Sequence, residues 1–150
     1  MPTKVIIMRG PSGSGKSTLA QKYLDSFAGL NKIIVSADNF MIVDGVYAFH
    51  PSKLSSCHQK CFHAFVDACS KAFTLSEPSL IIVDNTNIKH WEFAPYETVA
   101  KKLGFEVEFA QPDGPWDAKL FAERNKHGVP EEVIQSMIDR FEQRSSRETN

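Results

Sequence analysis

The sequence carries almost no surplus charge. Against 17 Lys and Arg stand 18 Asp and Glu over 150 residues, a formal net charge of −1. Non-specific grip on nucleic acid comes from Lys and Arg on phosphates, so a wholesale basic surface is excluded, though a local basic groove is not. No apolar run approaches the length a membrane-spanning helix needs, and "MPTKVIIMRG" enters a strand directly, without the pattern of a secretory leader. The expectation is a cytoplasmic protein with no membrane partner. Cysteine is scarce: Cys57, Cys61 and Cys69 fall in one stretch with no CxxC pair. They share an apolar stripe at three- and four-residue spacing with Leu54, Phe62, Phe65, Ala72 and Phe73, which places reduced cysteines in a helical core rather than at a metal, despite His58 and His63 nearby.

What is present alternates. Apolar runs at 4–8, 32–36, 79–84 and 105–109 predict strands, and three of them are β-branched without alternation, as strands covered on both faces should be. Helical spacing predicts helices at about 16–27, 52–75, 91–103, 116–126 and 130–144. Strand–helix alternation implies βαβ crossovers and a parallel sheet. The expected fold class is therefore α/β, a single domain over residues 1–150 with a small parallel sheet of about four strands flanked by helices. A lid is expected near 115–130, and a frayed tail near 144–150.

After the first strand comes Gly10-Pro11-Ser12-Gly13-Ser14-Gly15-Lys16-Ser17-Thr18, which fits GxxxxGK[ST] in the required setting, with a strand before and a helix after. Glycines let successive backbone N–H groups curl toward phosphate oxygens, and the helix adds its positive N-terminus. ATP is the expected ligand, held by Ser12, Gly13, Ser14, Gly15, Lys16, Ser17 and Thr18. Lys16 would reach the β- and γ-phosphates, and Ser17 would sit on Mg²⁺.

A P-loop serves switches, motors and kinases. A guanine switch needs NKxD, and the nearest string, Asn125-Lys126-His127-Gly128, lacks the aspartate and lies in a helical pattern. A motor or AAA-type ATPase usually needs more chain for its coupling parts. A small kinase needs little beyond the sheet, a metal-side carboxylate, an acceptor pocket and a basic lid. Asp84 ends the third apolar strand where a Walker-B aspartate holds magnesium; the competing reading is a turn cap. Thr86 and Asn87 follow, with short polar side chains expected on the acceptor side. Arg124, with Lys126 and His127, heads the lid candidate, where it could offset charge on the γ-phosphoryl oxygens; a solvated helix face competes with that reading. Asp38, at the end of the second strand in "IIVSADNF", stands where an acceptor approaches, and is expected to be the general base that takes the acceptor hydroxyl's proton.

The strings "GPSGSGKST", "SADNF", "IIVDNTN" and "ERNKHGVP", in this order, resemble the P-loop polynucleotide kinase family. The likeness is closer to a branch of small kinases sharing "DGVYAFHPSKL", "DNTNIKHWEFAPY" and "RNKHGVP". The resemblance implies Lys16 and Ser17 at the phosphates and metal and Asp38 as base. It also implies Asp84, Thr86 and Asn87 at the metal and acceptor side, and Arg124 as lid arginine. Met41 stands where phage-type enzymes place an arginine for the acceptor's phosphate, Asn39 follows the base where a second acid is common, and no Lys or Arg occurs between Lys32 and Lys53.

The branch includes phage enzymes that phosphorylate 5-hydroxymethyluracil bases in DNA, which would place this chain in a host cytoplasm. Such an enzyme must expose the base, and Phe40, Tyr47, Phe49, Trp91 or Trp116 could stack on it, although core packing competes for each. The expected partner is nucleic acid, DNA before RNA, with no obligate protein partner. The expected activity is Mg²⁺-dependent transfer of the ATP γ-phosphoryl group to a nucleic-acid hydroxyl, at a 5′ end or on the hydroxymethyl group. The alternatives are a nucleoside or small-molecule kinase, and an ATP-binding interaction module with vestigial catalysis.

Overall fold

A computed structural model describes residues 3–48, 50–75 and 77–144. The first half runs β1 (Lys4–Met8), α1 (Lys16–Ser26), β2 (Lys32–Val35), β3 (Ile42–Val43), β4 (Val46–Tyr47) and α2 (Leu54–Thr74). The second runs β5 (Leu80–Asp84), α3 (His90–Lys102), β6 (Glu106–Ala110), α4 (Ala118–Arg124) and α5 (Glu131–Arg140). The four apolar runs form one wholly parallel sheet in the order β2-β5-β1-β6, as the strand–helix alternation requires. Helix α1 packs with Ile6, Met8 and Ile82 on one face; α2 and α3 cover Val5, Ile7, Ile81 and Val83 on the other. The three cysteines are buried in that second layer, on the inner stripe of α2.

Topology positions the site. With β5 between β2 and β1, the carboxyl ends of β2 and β5 and the loop after β1 open side by side, the place where parallel sheets bind ligands.

Several boundaries differ from the sequence expectation, most by one or two residues, and those of α4 and α5 have a clear local reason. Helix α4 starts at Ala118 because the Asp117 carboxylate accepts from the amides of Lys119 and Leu120. It stops at Arg124, not 126, because the Asn125 side-chain amide donates to the carbonyls of Phe121 and Ala122. Helix α5 stops at Arg140, not 144, because Phe141 and Glu142 turn back onto the core. There the Glu142 amide donates to the Ile88 carbonyl. A hairpin, β3–β4, was not expected; Asp44 and Gly45, both at positive φ, make its turn. The proposed tail lies, from 145 onward, outside the described residues, as does Phe49. Among the described residues no helix is long and apolar enough to cross a membrane.

Arg9 is 1 % exposed. Its guanidinium donates to the carbonyls of Asn87 (2.8 Å), Ile88 (3.0 Å) and Glu142 (2.7 Å), and lies over the rings of Phe93 (4.6 Å) and Phe141 (4.3 Å). One side chain thus ties β1, the loop after β5 and the segment after α5 together. Removing it leaves the Asn87 and Glu142 carbonyls without this donor, while Ile88 keeps the Glu142 amide, so Arg9→Met should cost about 2–4 kcal/mol of stability, read from the urea midpoint. An unchanged midpoint would show that the three segments hold without it.

Candidate functional site

The loop after β1 closes by sequence rules. Gly10, Gly13 and Gly15 all have positive φ (152°, 79° and 98°), and Gly15 caps α1 in the left-handed region. The first turn of α1 holds no acidic residue and its cap makes no side-chain hydrogen bond, so its N–H groups face whatever fills the loop. A Cβ on Gly13 would run into the backbone carbonyl of Phe121, so glycine here is also what lets α4 close on the loop.

Beside it the Ser17 hydroxyl donates to Asp84 Oδ2 at 2.9 Å. The other oxygen of that carboxylate, Oδ1, is buried and has no hydrogen-bond partner, and neither does the buried hydroxyl of Ser14. A buried carboxylate oxygen with no donor is costly unless a cation meets it, and an Asp with a Ser hydroxyl is a hard oxygen donor set. These residues therefore fit Mg²⁺ at Asp84 and Ser17, and a phosphate oxygen at Ser14.

Lys16 is half-buried. Burial holds its ammonium below lysine's usual 10.5, while the charges of Asp84 and Asp38 pull it back up. The candidate metal ligand and the candidate base therefore act on one cation.

Asp38 is placed from two strands. The Ser36 hydroxyl, at the end of β2, caps the short 3₁₀ turn Ala37–Met41 by accepting from the Asp38 amide. The Asn85 side chain, at the end of β5, accepts from the Ala37 amide at 2.8 Å. The carboxylate is met by two groups: the Tyr47 hydroxyl donates to Oδ1 at 3.3 Å, and His127 Nε2 lies 3.6 Å from Oδ2. Burial first, and then the Asp38 charge and hydrogen bond, push Tyr47 up to about 12.

The lid candidate contacts the loop. Arg124 donates to the Gly13 carbonyl at 2.8 Å. Ala118, Phe121 and Ile134 form a separate small core joining α4 to α5. Thus Lys16, Ser17, Asp84 and Asp38 gather beside the loop that Arg124 also reaches. Thr86 borders it half-buried, with its carbonyl accepting from the Gly10 amide.

Asn87, expected on the acceptor side, is buried. Its side-chain amide donates to the carbonyls of Met8 and Asn85, so it braces β1 against the loop after β5. Trp116 donates to the Pro112 carbonyl and packs edge-on to Phe141, which makes it a packing residue. Trp91, 74 % exposed, opens α3, and Phe40 is partly exposed beside Asp38. Met41 is 2 % exposed: the position of the missing arginine faces the core. Sequence reading missed the roles of Arg9, Asn85 and Asn125, and the meeting of Tyr47 with His127. The Asp44-Gly45 dipeptide was the signal that could have brought Tyr47 back toward Asp38.

Comparison with known proteins agrees with this architecture. Residues 5–144 match the family model described as AAA domain. Human NEDD4-binding protein 2 is 33 % identical over 140 residues, covering 92 % of this chain but only 8 % of that protein's length. Among solved structures, a chain of the Pnkp1/Rnl/Hen1 RNA repair complex aligns with TM-score 0.63 at 16 % identity, over 93 % of this chain and 44 % of that one. Chaetomium thermophilum Kti12 in complex with ADP-AlF3 also gives 0.63 at 16 % identity, over 97 % and 84 %. At such identities the likeness to these two shows the fold alone.

Two outcomes are expected. Gly13→Ala should weaken binding of a fluorescent ATP analogue at least about tenfold with the far-ultraviolet circular dichroism unchanged, because it combines a left-handed φ with a backbone clash; wild-type affinity would contradict the close approach of α4. Between the lowered folded value of Lys16 and the unfolded 10.5, the unfolded chain binds more protons. Stability without nucleotide should therefore rise with pH across that window, and less so in Lys16→Met; identical pH slopes would contradict the burial of the charge.

Proposed function

We propose, from the premise that this chain belongs to the AAA domain family and has the fold of the P-loop polynucleotide kinases, that it is an ATP-dependent kinase for a hydroxyl group on nucleic acid. The observation that carries this reading is the carboxylate pair around Lys16: Asp84 with Ser17 on one side and Asp38 on the other. A module that only bound ATP would have no use for the second acid. In the proposed reaction the acceptor oxygen attacks the γ-phosphorus in line, and its proton passes to the Asp38 carboxylate. The bond from that phosphorus to the β,γ-bridging oxygen breaks, and ADP leaves with the electron pair. Lys16 and Arg124 offset the charge on the phosphoryl oxygens. Mg²⁺, when bound at Ser17 and Asp84, neutralises further charge on the phosphates.

The acceptor side favours the hydroxymethyl group of 5-hydroxymethyluracil in DNA over a 5′ end. Met41 points into the core, residues 33–52 carry no Lys or Arg, and Phe40, Ile42 and Val46, on the turn and hairpin that follow Asp38, are exposed. A neutral, flat group suits that surface better than a phosphate-bearing end. The same surface supports a second reading, a kinase for an uncharged small molecule or nucleoside.

Transfer of labelled γ-phosphate should separate these. On DNA with free 5′ ends, with blocked ends, and with blocked ends plus internal 5-hydroxymethyluracil, label is expected on the last alone. Label on free ends alone makes this an end kinase. Label on none, with ATP bound, refutes the nucleic-acid reading and leaves the small-molecule one. Rates on DNA should fall steeply with salt, whereas a small neutral acceptor would leave them level.

A further inference from the structure

The segment between α4 and α5 is knotted by one residue. The Asn125 side chain donates to the carbonyls of Phe121, Ala122 and Val129 and accepts from the amides of His127 and Val129. The short stretch from Arg124 to Val129 is therefore a stiff piece with two tips. One tip, Arg124, bonds the P-loop at Gly13. The other, His127, reaches across the crevice to the hairpin, where its ring lies 4.0 Å from that of Tyr47 at an interplanar angle of 31°, and its Nε2 lies 3.6 Å from Asp38 Oδ2. That separation is within ion-pairing range but longer than a hydrogen bond. Tyr47 engages the other oxygen of the same carboxylate and, with its hydroxyl pushed up to about 12, stays protonated as a donor at any working pH.

Both oxygens of Asp38 are thus held by groups outside its own turn, one from the hairpin and one from the lid. We propose that His127 is a positioning residue for Asp38: with Tyr47 it clamps the carboxylate, so that closing the lid over the phosphates and orienting the base are a single event. The inference rests on the proposed reading of Asp38 as base and deepens it. Stiffness supplied by Asn125 is what couples the two tips, because a floppy loop could dock Arg124 while leaving His127 free. An acceptor that meets Asp38 meets the same His127–Tyr47 wall, so a kinase with its lid open would present its base held at one oxygen only, by Tyr47.

The test uses His127→Ala, His127→Gln and His127→Phe in the full chain with saturating ATP. Gln keeps an N–H that can reach the carboxylate; Phe keeps the ring on Tyr47 without it. On whichever acceptor the wild type labels, kcat should fall about tenfold or more in Ala and Phe and return to within about threefold in Gln, with the dissociation constant for ATP and the urea midpoint unmoved. A role confined to packing would instead spare Phe and lower stability in Gln, and that result overturns the proposal, as does wild-type kcat in Ala. Amide hydrogen exchange with ATP bound provides an arm that needs no acceptor. Val129 should exchange about fivefold or more faster in His127→Ala and in Tyr47→Phe. Equal exchange in all three proteins overturns the clamp. A wild type that labels no acceptor while the exchange difference is present refutes the proposed function instead, so the two failures are distinguishable.

Discussion

The Lys16 ammonium lies where burial works against its charge and two carboxylates, Asp84 and Asp38, work for it. That opposition ties the site to the fold. The two acids come from the ends of different strands, and they face one cation because β2 and β5 are neighbours with β1 and its glycine loop alongside. Without the ammonium the carboxylates would be like charges sharing a crevice, and without the carboxylates the buried ammonium would be strongly disfavoured. The remaining polarity has the same direction: Asp84 leaves one oxygen without a donor, as does the Ser14 hydroxyl, and the first turn of α1 carries no acid. These groups describe a concave surface complementary to a polyanion and its cation.

The α/β class, the parallel sheet and the phosphate loop were all legible in the sequence, because each rests on local signals: β-branched runs, apolar spacing and a glycine pattern whose geometry is obligatory. Asp84 was legible for the same reason, as the last residue of such a run. What escaped was fixed by long-range partners. Asn87 looks like a crevice residue in one dimension, but its amide is taken by the Met8 carbonyl from a different strand. Arg9 reads as a charge next to a loop, yet it is the buried cross-tie of three segments distant in the chain. The end of α4 was misplaced because periodicity cannot show that the Asn125 side chain will take the carbonyls of the preceding turn.

The proposed acceptor side differs in kind from the proposed phosphate side. Around the phosphate loop, positions are enforced by backbone: left-handed glycines, the Phe121 carbonyl against Gly13, and sheet register. Around Asp38 they are enforced by side chains on short elements, a 3₁₀ turn, a two-residue-per-strand hairpin and a loop knotted by Asn125. Backbone-built sites tolerate little change and so keep one ligand class; side-chain-built sites can change acceptor with few substitutions.

The measurement that bears most directly on this account is the single-turnover rate of phosphoryl transfer in wild type and Asp38→Asn, taken at saturating ATP together with the dissociation constant for ATP. If Asp38 is the base on the acceptor side of Lys16, the rate falls by about 10²- to 10⁴-fold while nucleotide affinity changes little. A variant that transfers at the wild-type rate, or one that loses its rate only because it no longer binds ATP, would contradict it.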